Sequence, residues 1–455
     1  MTATKRTVKV VDSIMGTGKT SWAIEYMNAN PDKAFIYCTP FLSEVQRIKD
    51  SCEQPFYEPT FKDGGRKIDD FNDLIMEGKN IVLTHSTFSN ATDETITYLE
   101  QGRYILILDE VLEILTDFNS ACNDNINRAD MSLLMNEGFI KVDDYGKVSW
   151  VKQSYDSSKY TNVERVAKRG ELFYLDGTML VWQFPPQIFR TFSEVYLLTY
   201  LFDGSFLKPY FEYHDIHYVL QSVGRDDDGK YKLVKYRKER GSQYKSLITI
   251  LDNKKMNNYT HSQLSKSWYV RDKKEDLEQL KKNLVNYFQN ITKAKSSEIL
   301  WTAPKDYYKA LKGKGYSIVK IVTRKDRERI EKDICKNNPN ITDKKKIRAL
   351  VDKSADAEKK SCKCFIPCNA RATNIYGDRS VLAYCINLYP NPFIKRYFSN
   401  KNMVDKTNIV VDDDSFALST LLQWIWRSRI RNGRPITIYI PSKRMRELLQ
   451  NWLNS

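Results

Sequence analysis

Thr7-Val8-Lys9-Val10-Val11-Asp12 runs into Ser13-Ile14-Met15-Gly16-Thr17-Gly18-Lys19-Thr20, which is followed by Ser21-Trp22-Ala23-Ile24-Glu25-Tyr26-Met27-Asn28. The first stretch reads as a β-strand and the last as a helix, so the glycine-bearing segment is a strand-to-helix turn. In such a turn backbone N–H groups can wrap a phosphate while the helix N-terminus adds partial positive charge. Gly16 and Gly18 permit backbone geometry and close approach that a β-carbon would obstruct. Ser13, Met15, Gly16, Thr17, Gly18, Lys19 and Thr20 are the expected phosphate-loop residues. Lys19 is expected to reach the β- and γ-phosphates, and the Thr20 hydroxyl to hold Mg²⁺. The strict pattern has glycine where this chain has Ser13.

Four further apolar runs, AFIYCTP, NIVLTHS, YILILDE and LFYLDGT, alternate with stretches of helical length over the first ~200 residues. Strands apolar at consecutive positions belong to a sheet covered on both faces, which predicts an α/β, doubly wound lobe. One of them, Tyr104 to Leu108, ends in Asp109-Glu110. Two carboxylates at a strand end beside a phosphate loop suit a nucleotide hydrolase. Asp109 would hold Mg²⁺, and Glu110 would orient or deprotonate the attacking water.

From Phe211 to about residue 270 the texture changes: QSVGRDDDGKYKLVKYRKER reads as a basic hairpin or loop around an Asp-Gly turn, and 211–270 is expected to be an insertion or bridge. A second alternating pattern occupies 271–455, with a helix expected over 272–290 and strands in SSEILWTAP, GYSIVKIVT, SVLAYCINLY and PITIYIPS. Within it, about 324–363 is highly charged and reads as a solvated helical excursion. Cys362, Cys364 and Cys368 lack a second pair or a nearby His and read as free thiols. Near the end, Ser419 to Arg431 reads as one helix stopped by Asn432-Gly433. Gln423, Arg427 and Arg431 would then share a face, as an arginine finger with its amide neighbour requires.

The set resembles superfamily 2 DEAD/DEAH-like helicases, especially the compact helicases of bacteriophages and the viral origin-binding helicase group. SIMGTGKT resembles motif I, ILDEVLE motif II, LDGTM motif III, TNIYGDR motif V and QWIWRSRIR motif VI. The resemblance spans nearly the whole chain. It implies two RecA-like lobes, 1–210 and 271–455, ATP as the nucleotide, and strand-contacting roles for Thr39, Pro40, Thr84, His85, Ser86, Thr302, Thr373 and Asn374. Motif VI departs from the usual QxxGRxxR in having Trp426 for glycine and a displaced second arginine.

The 455 residues exceed one ordinary domain, and the formal charge of +15 favours a polyanionic partner. No run approaches the ~20 apolar residues of a membrane span, so a soluble, cytoplasmic protein is expected, in the host cytoplasm if viral. The combined expectation is a monomeric ATP- and Mg²⁺-dependent helicase or translocase on single-stranded or branched nucleic acid, DNA in preference to RNA. The alternatives are a remodeller of duplex or branched DNA and a P-loop switch that binds no nucleic acid.

Overall fold

The computed structural model describes residues 7–62, 65–153, 155, 158–271, 274–318, 324–337, 343–361, 363–369 and 375–455. It is an α/β structure in two compact units, one running to Glu239 and including Pro390–Phe416, the other formed by Arg240–Tyr389 and Ala417–Ser455.

The strands of the first unit are β1 Val8–Asp12, β2 Phe35–Thr39, β3 Ile81–Thr84, β4 Ile105–Asp109, β5 Leu115–Asp117, β6 Ile140–Val142, β7 Val148–Trp150, β8 Leu172–Leu175, β9 Met179–Gln183, β10 Glu194–Thr199, β11 Tyr218–Arg225 and β12 Tyr231–Lys235. Seven of them form one sheet in the order β12-β11-β1-β10-β4-β2-β3, parallel except for the antiparallel edge strand β12. Side chains alternate between two covered faces. Val8, Val10, Ile36, Cys38, Leu106, Leu108, Val195 and Leu197 point into one apolar cluster, and Val11, Phe35, Tyr37, Ile105, Ile107, Tyr196 and Leu198 into the other. This is the physical reason the strand sequences are apolar without alternation. On the second face lies the helix Lys19–Asn28, which buries Trp22, Ala23 and Met27. The first face is closed in part by the helix Pro392–Asp405, whose Tyr397 stacks on Tyr213 with ring centroids 4.8 Å apart.

A smaller body is inserted after β4. It pairs β5-β9-β8 in one sheet and β6-β7 in another, around a core of its own that includes Phe118, Met131, Leu134, Val163, Val166 and Leu172.

The second unit holds β13 Ile248–Ile250, β14 Ile299–Thr302, β15 Val381–Tyr384 and β16 Ile436–Tyr439 in a parallel sheet ordered β13-β16-β15-β14. Its core is rich in aromatics whose polar ends are satisfied. The Trp301 indole donates to the Tyr316 carbonyl at 2.7 Å and the Tyr439 hydroxyl to that of Met256 at 2.8 Å.

These boundaries differ from those expected. The stretch 211–270 is divided: β11 and β12 extend the first sheet, because β11 pairs in parallel with the phosphate-loop strand, and residues from Arg240 on belong to the second unit. Residues 390–416 return to the first unit, drawn by the aromatic face of the Pro392–Asp405 helix. The charged stretch contains two helices, Arg324–Asn337 and Lys344–Ser361, and the helix expected over 272–290 is described as Lys274–Val285 continuing into a π-helical turn. The strand expected in GYSIVKIVT lies mostly outside the described residues.

Candidate functional site

The phosphate loop connects β1 to the helix Lys19–Asn28. Gly16 and Gly18 have φ of 90° and 97°, where a side chain is strained, and Gly18 is the residue from which the helix starts. No side chain caps this helix and its first turn carries no acid, so the amide donors at its start suit an anion. The Lys19 ammonium folds back over the loop, donating to the Ser13 carbonyl and to the Ile14 carbonyl at 3.2 Å, while the Thr17 hydroxyl donates to Ile14 at 2.8 Å. Ser13 explains its own departure from glycine. Its hydroxyl accepts the Val223 amide at 3.0 Å and so ties the loop to β11.

The acid pair stands at the end of β4. Glu110 has φ of 62°, an uncommon backbone for a residue with a β-carbon, and its amide donates to the Leu198 carbonyl at 2.9 Å. The Asp109 carboxylate accepts the Tyr37 hydroxyl at 2.8 Å, and Thr20 lies beside the same Tyr37 hydroxyl. A hydroxyl and a carboxylate, two hard oxygen donors, thus meet at one side chain, which fits Mg²⁺. Burial, followed by the neighbouring Glu110 charge, pushes Asp109 up to about 7, with Tyr37 and Lys19 acting in the opposite direction.

That shift has a measurable consequence. A carboxyl titrating near 3.9 when unfolded and near 7 when folded destabilises the fold increasingly as pH rises across that interval, and by a constant amount above it. Asp109→Asn is therefore expected to raise stability in metal-free buffer at pH 8 by at most about 4 kcal/mol, seen as a higher melting temperature, with the gain shrinking towards pH 4. Thermal melts at both pH values check it, and a pH-independent gain or a loss at pH 8 contradicts it.

Between β1 and β4 runs β10, which the sequence reading did not single out. The Thr199 carbonyl accepts the Ser13 amide at 3.1 Å, so this strand end fastens the phosphate loop on one side and the acid pair on the other. The buried Asp12 carboxylate holds the following corner, accepting the Leu201 and Phe202 amides at 2.8 and 3.2 Å; burial raises its pKa. By contrast LDGTM, assigned to motif III, forms the β8–β9 turn in the inserted body, where Asp176 pairs with Arg396 at 2.5 Å. The motif matched in letters, but strand order puts Thr199 in the place beside the loop.

Thr39 and Thr84 are paired in register at the ends of β2 and β3, the same sheet end as the loop. Thr39 is fully buried, and its hydroxyl has no partner among the described residues. Thr84 caps the short helix His85–Phe88, Ser86 is exposed and Pro40 half-buried. His85 is buried, and its Nε2 donates to the Asp109 carbonyl at 2.9 Å, so it braces the acid pair instead of facing solvent.

In the second unit Thr302 ends β14, buried, its hydroxyl also without a partner among the described residues. The helix expected over Ser419 to Arg431 is Asp413–Ile425 and stops short of the arginines. Ser428 ends it: its amide and its hydroxyl both donate to the Ile425 carbonyl, at 3.0 and 2.7 Å, and its ψ of −176° is extended. The expected single face through Gln423, Arg427 and Arg431 is thereby corrected. Gln423 lies in the last helical turns, Arg427 is 8% exposed in the turn that follows, and Arg431 is exposed in a separate 3₁₀ turn, Arg429–Asn432. Thr373 and Asn374 lie outside the described residues.

Two family models match the chain: the YonV C-terminal Rossmann-like domain over residues 242–453 and the YonV middle domain over 123–182. The SPbeta prophage-derived protein YonV of Bacillus subtilis strain 168 is 36% identical across 98% of this chain and 99% of the relative. The chain belongs to the YonV family. The YonV middle domain coincides with much of the body inserted after β4, and the Rossmann-like domain with the parallel sheet of the second unit. Among solved structures, apo XPD is similar at a TM-score of 0.47 and 11% identity, covering 98% of this chain and 95% of that one. Xpd4 of S. tokodaii is similar at 0.45 and 11%, covering 98% and 94%. No helix among the described residues is long and apolar enough to cross a membrane.

Proposed function

We propose that this YonV-family chain is an ATP-dependent motor on nucleic acid, acting on DNA in a phage replication or recombination setting. One observation carries the reading: the Lys19 loop and the Asp109-Glu110 pair stand at the same end of one parallel sheet, with Asp109 bonded to Tyr37 and Thr20 beside it. A second parallel-sheet unit, the formal charge of +15 and the prophage origin of the relative support it.

In this reading Lys19 and the loop amides bind the β- and γ-phosphates, and Glu110 orients the attacking water. Thr20 and Asp109 would hold Mg²⁺, which when bound supplies charge stabilisation to the phosphates. Thr84 and Ser86, with Pro40, Thr373 and Asn374, serve the strand through hydroxyl and backbone contacts, which carry no base information; Thr39 and Thr302, both fully buried, are too deep to reach it. His85 acts through Asp109.

The test is ATP hydrolysis measured in parallel with no nucleic acid, single-stranded DNA, duplex DNA, branched DNA and RNA. Stimulation by single-stranded DNA supports the reading. Stimulation by branched or duplex DNA alone favours a remodeller that does not separate strands, and no stimulation by any of them leaves a nucleotide switch.

The corrected C-terminal geometry makes its own distinction. Arg427→Ala is expected to lower nucleic-acid-stimulated hydrolysis by tenfold or more, on the order of a lost charge-assisted contact to phosphate, while Arg431→Ala changes it by less than about threefold. Steady-state rates of the two folded variants decide; the reverse ranking contradicts the assignment.

A further inference from the structure

The β11–β12 hairpin carries a feature that hydrolysis does not use. Tyr231, at the start of β12, lies against Gly18 so closely that a β-carbon there would fall 2.1 Å from Tyr231 Cε1. The Tyr231 amide donates to the Glu25 carboxylate at 2.8 Å, which fastens the strand to the phosphate-loop helix. Over the Tyr231 ring sits the Arg225 guanidinium, 4.3 Å from the centroid. Its Nη2 donates to the Tyr231 hydroxyl at 2.7 Å and its Nη1 to the Gly229 carbonyl at 2.9 Å.

Arg225 is exposed, yet its guanidinium is held in place by three contacts, and among the described residues no carboxylate pairs with it. An exposed arginine ordinarily spends its donors on water or an acid and keeps its rotamer freedom. Here a planar, weakly hydrated cation is held over an aromatic ring, an arrangement suited to stacking on a further π-system. The adjoining turn is Asp226-Asp227-Asp228, whose charge disfavours another phosphate at this spot and leaves a neutral planar group as the better occupant. The hairpin lies on the far side of the phosphate-loop strand from the acid pair, since β11 and β4 flank β1 and β10 on opposite sides. A nucleotide with its terminal phosphate towards Asp109-Glu110 directs its base towards this flank.

We infer that Arg225, seated on Tyr231, is the stacking platform for the nucleobase of the nucleotide held by the Lys19 loop. The inference rests on the nucleotide-binding reading above. Stacking reads the area of the ring and not its edge, so purines bind more tightly than pyrimidines and ATP is separated little from GTP.

The experiment is calorimetric titration of the full chain, with Mg²⁺, against ATP, GTP, CTP and inorganic tripolyphosphate, for wild type, Arg225→Ala, Arg225→Lys and Tyr231→Phe. The wild type is expected to bind ATP and GTP about tenfold or more tighter than tripolyphosphate. Arg225→Ala is expected to erase that margin and leave tripolyphosphate affinity within about twofold, because the base alone is lost. Arg225→Lys, which has charge without a plane, should not restore it, and Tyr231→Phe, which keeps the ring, should retain most of it. Equal weakening of ATP and tripolyphosphate in Arg225→Ala, or rescue by lysine, overturns the platform in favour of a simple charge effect. Unchanged ATP affinity in Arg225→Ala, when the wild type binds ATP, overturns it while leaving the nucleotide reading intact. A wild type that binds none of the four ligands overturns both.

Discussion

Lys19→Ala is expected to abolish nucleotide hydrolysis, lowering turnover by at least ~10²–10³, the scale of losing one charged or strongly polar stabiliser of a developing oxyanion. The ammonium is held over the loop by the Ser13 and Ile14 carbonyls, and the loop amides alone cannot replace its charge. The same bonds brace the loop, so the variant's melting temperature must be measured alongside its rate. A folded variant with near-normal turnover contradicts the loop's assignment. Loss of turnover with an unchanged melt is the expected result.

Glu110→Gln is expected to lower turnover by ~10²–10⁴, the range for removal of a general base, while ATP affinity changes little. Glutamine keeps the volume and can occupy the same backbone position, where φ is 62° and the amide bond to Leu198 does not depend on the side chain. Nucleic-acid affinity in the presence of ATP should persist or rise, because the bound state is no longer discharged. Equilibrium binding and single-turnover hydrolysis separate the outcomes. Loss of ATP binding would assign Glu110 a structural role.

The elements that could be read from the sequence are those whose signal is local. The strand–glycine loop–helix of residues 7–28 needs neighbours in sequence only, and β2, β3 and β4 announce themselves because both of their faces are buried. What escaped depends on pairing across the chain. Nothing local in Glu194–Thr199 says that it enters between β1 and β4, and so the third-motif resemblance was assigned to Leu175–Met179, which closes a hairpin in the inserted body. Arg225 and Tyr231 meet only because their strands pair as a hairpin, with Arg225 opposite Tyr231 in register, and they reach Gly18 only because β11 joins β1.

The C-terminal arginines show a different limit. Leu421, Leu422, Trp424 and Ile425 are all buried, so the helix has no solvated face from which to read an end, and a single serine hydroxyl at 428 diverts the chain. The return of Pro390–Phe416 to the first unit was equally hidden. Tyr397 is an ordinary aromatic in its own helix, and its partners Phe173 and Tyr213 lie more than 180 residues earlier.

The central claim, ATP-driven movement along a nucleic-acid strand, is tested most directly by displacement of streptavidin from a biotinylated single strand of DNA. The wild type is expected to accelerate displacement in ATP and Mg²⁺ from one end of the strand, with no acceleration in Lys19→Ala. Rapid hydrolysis of ATP by the wild type on the same strand without displacement from either end would contradict it.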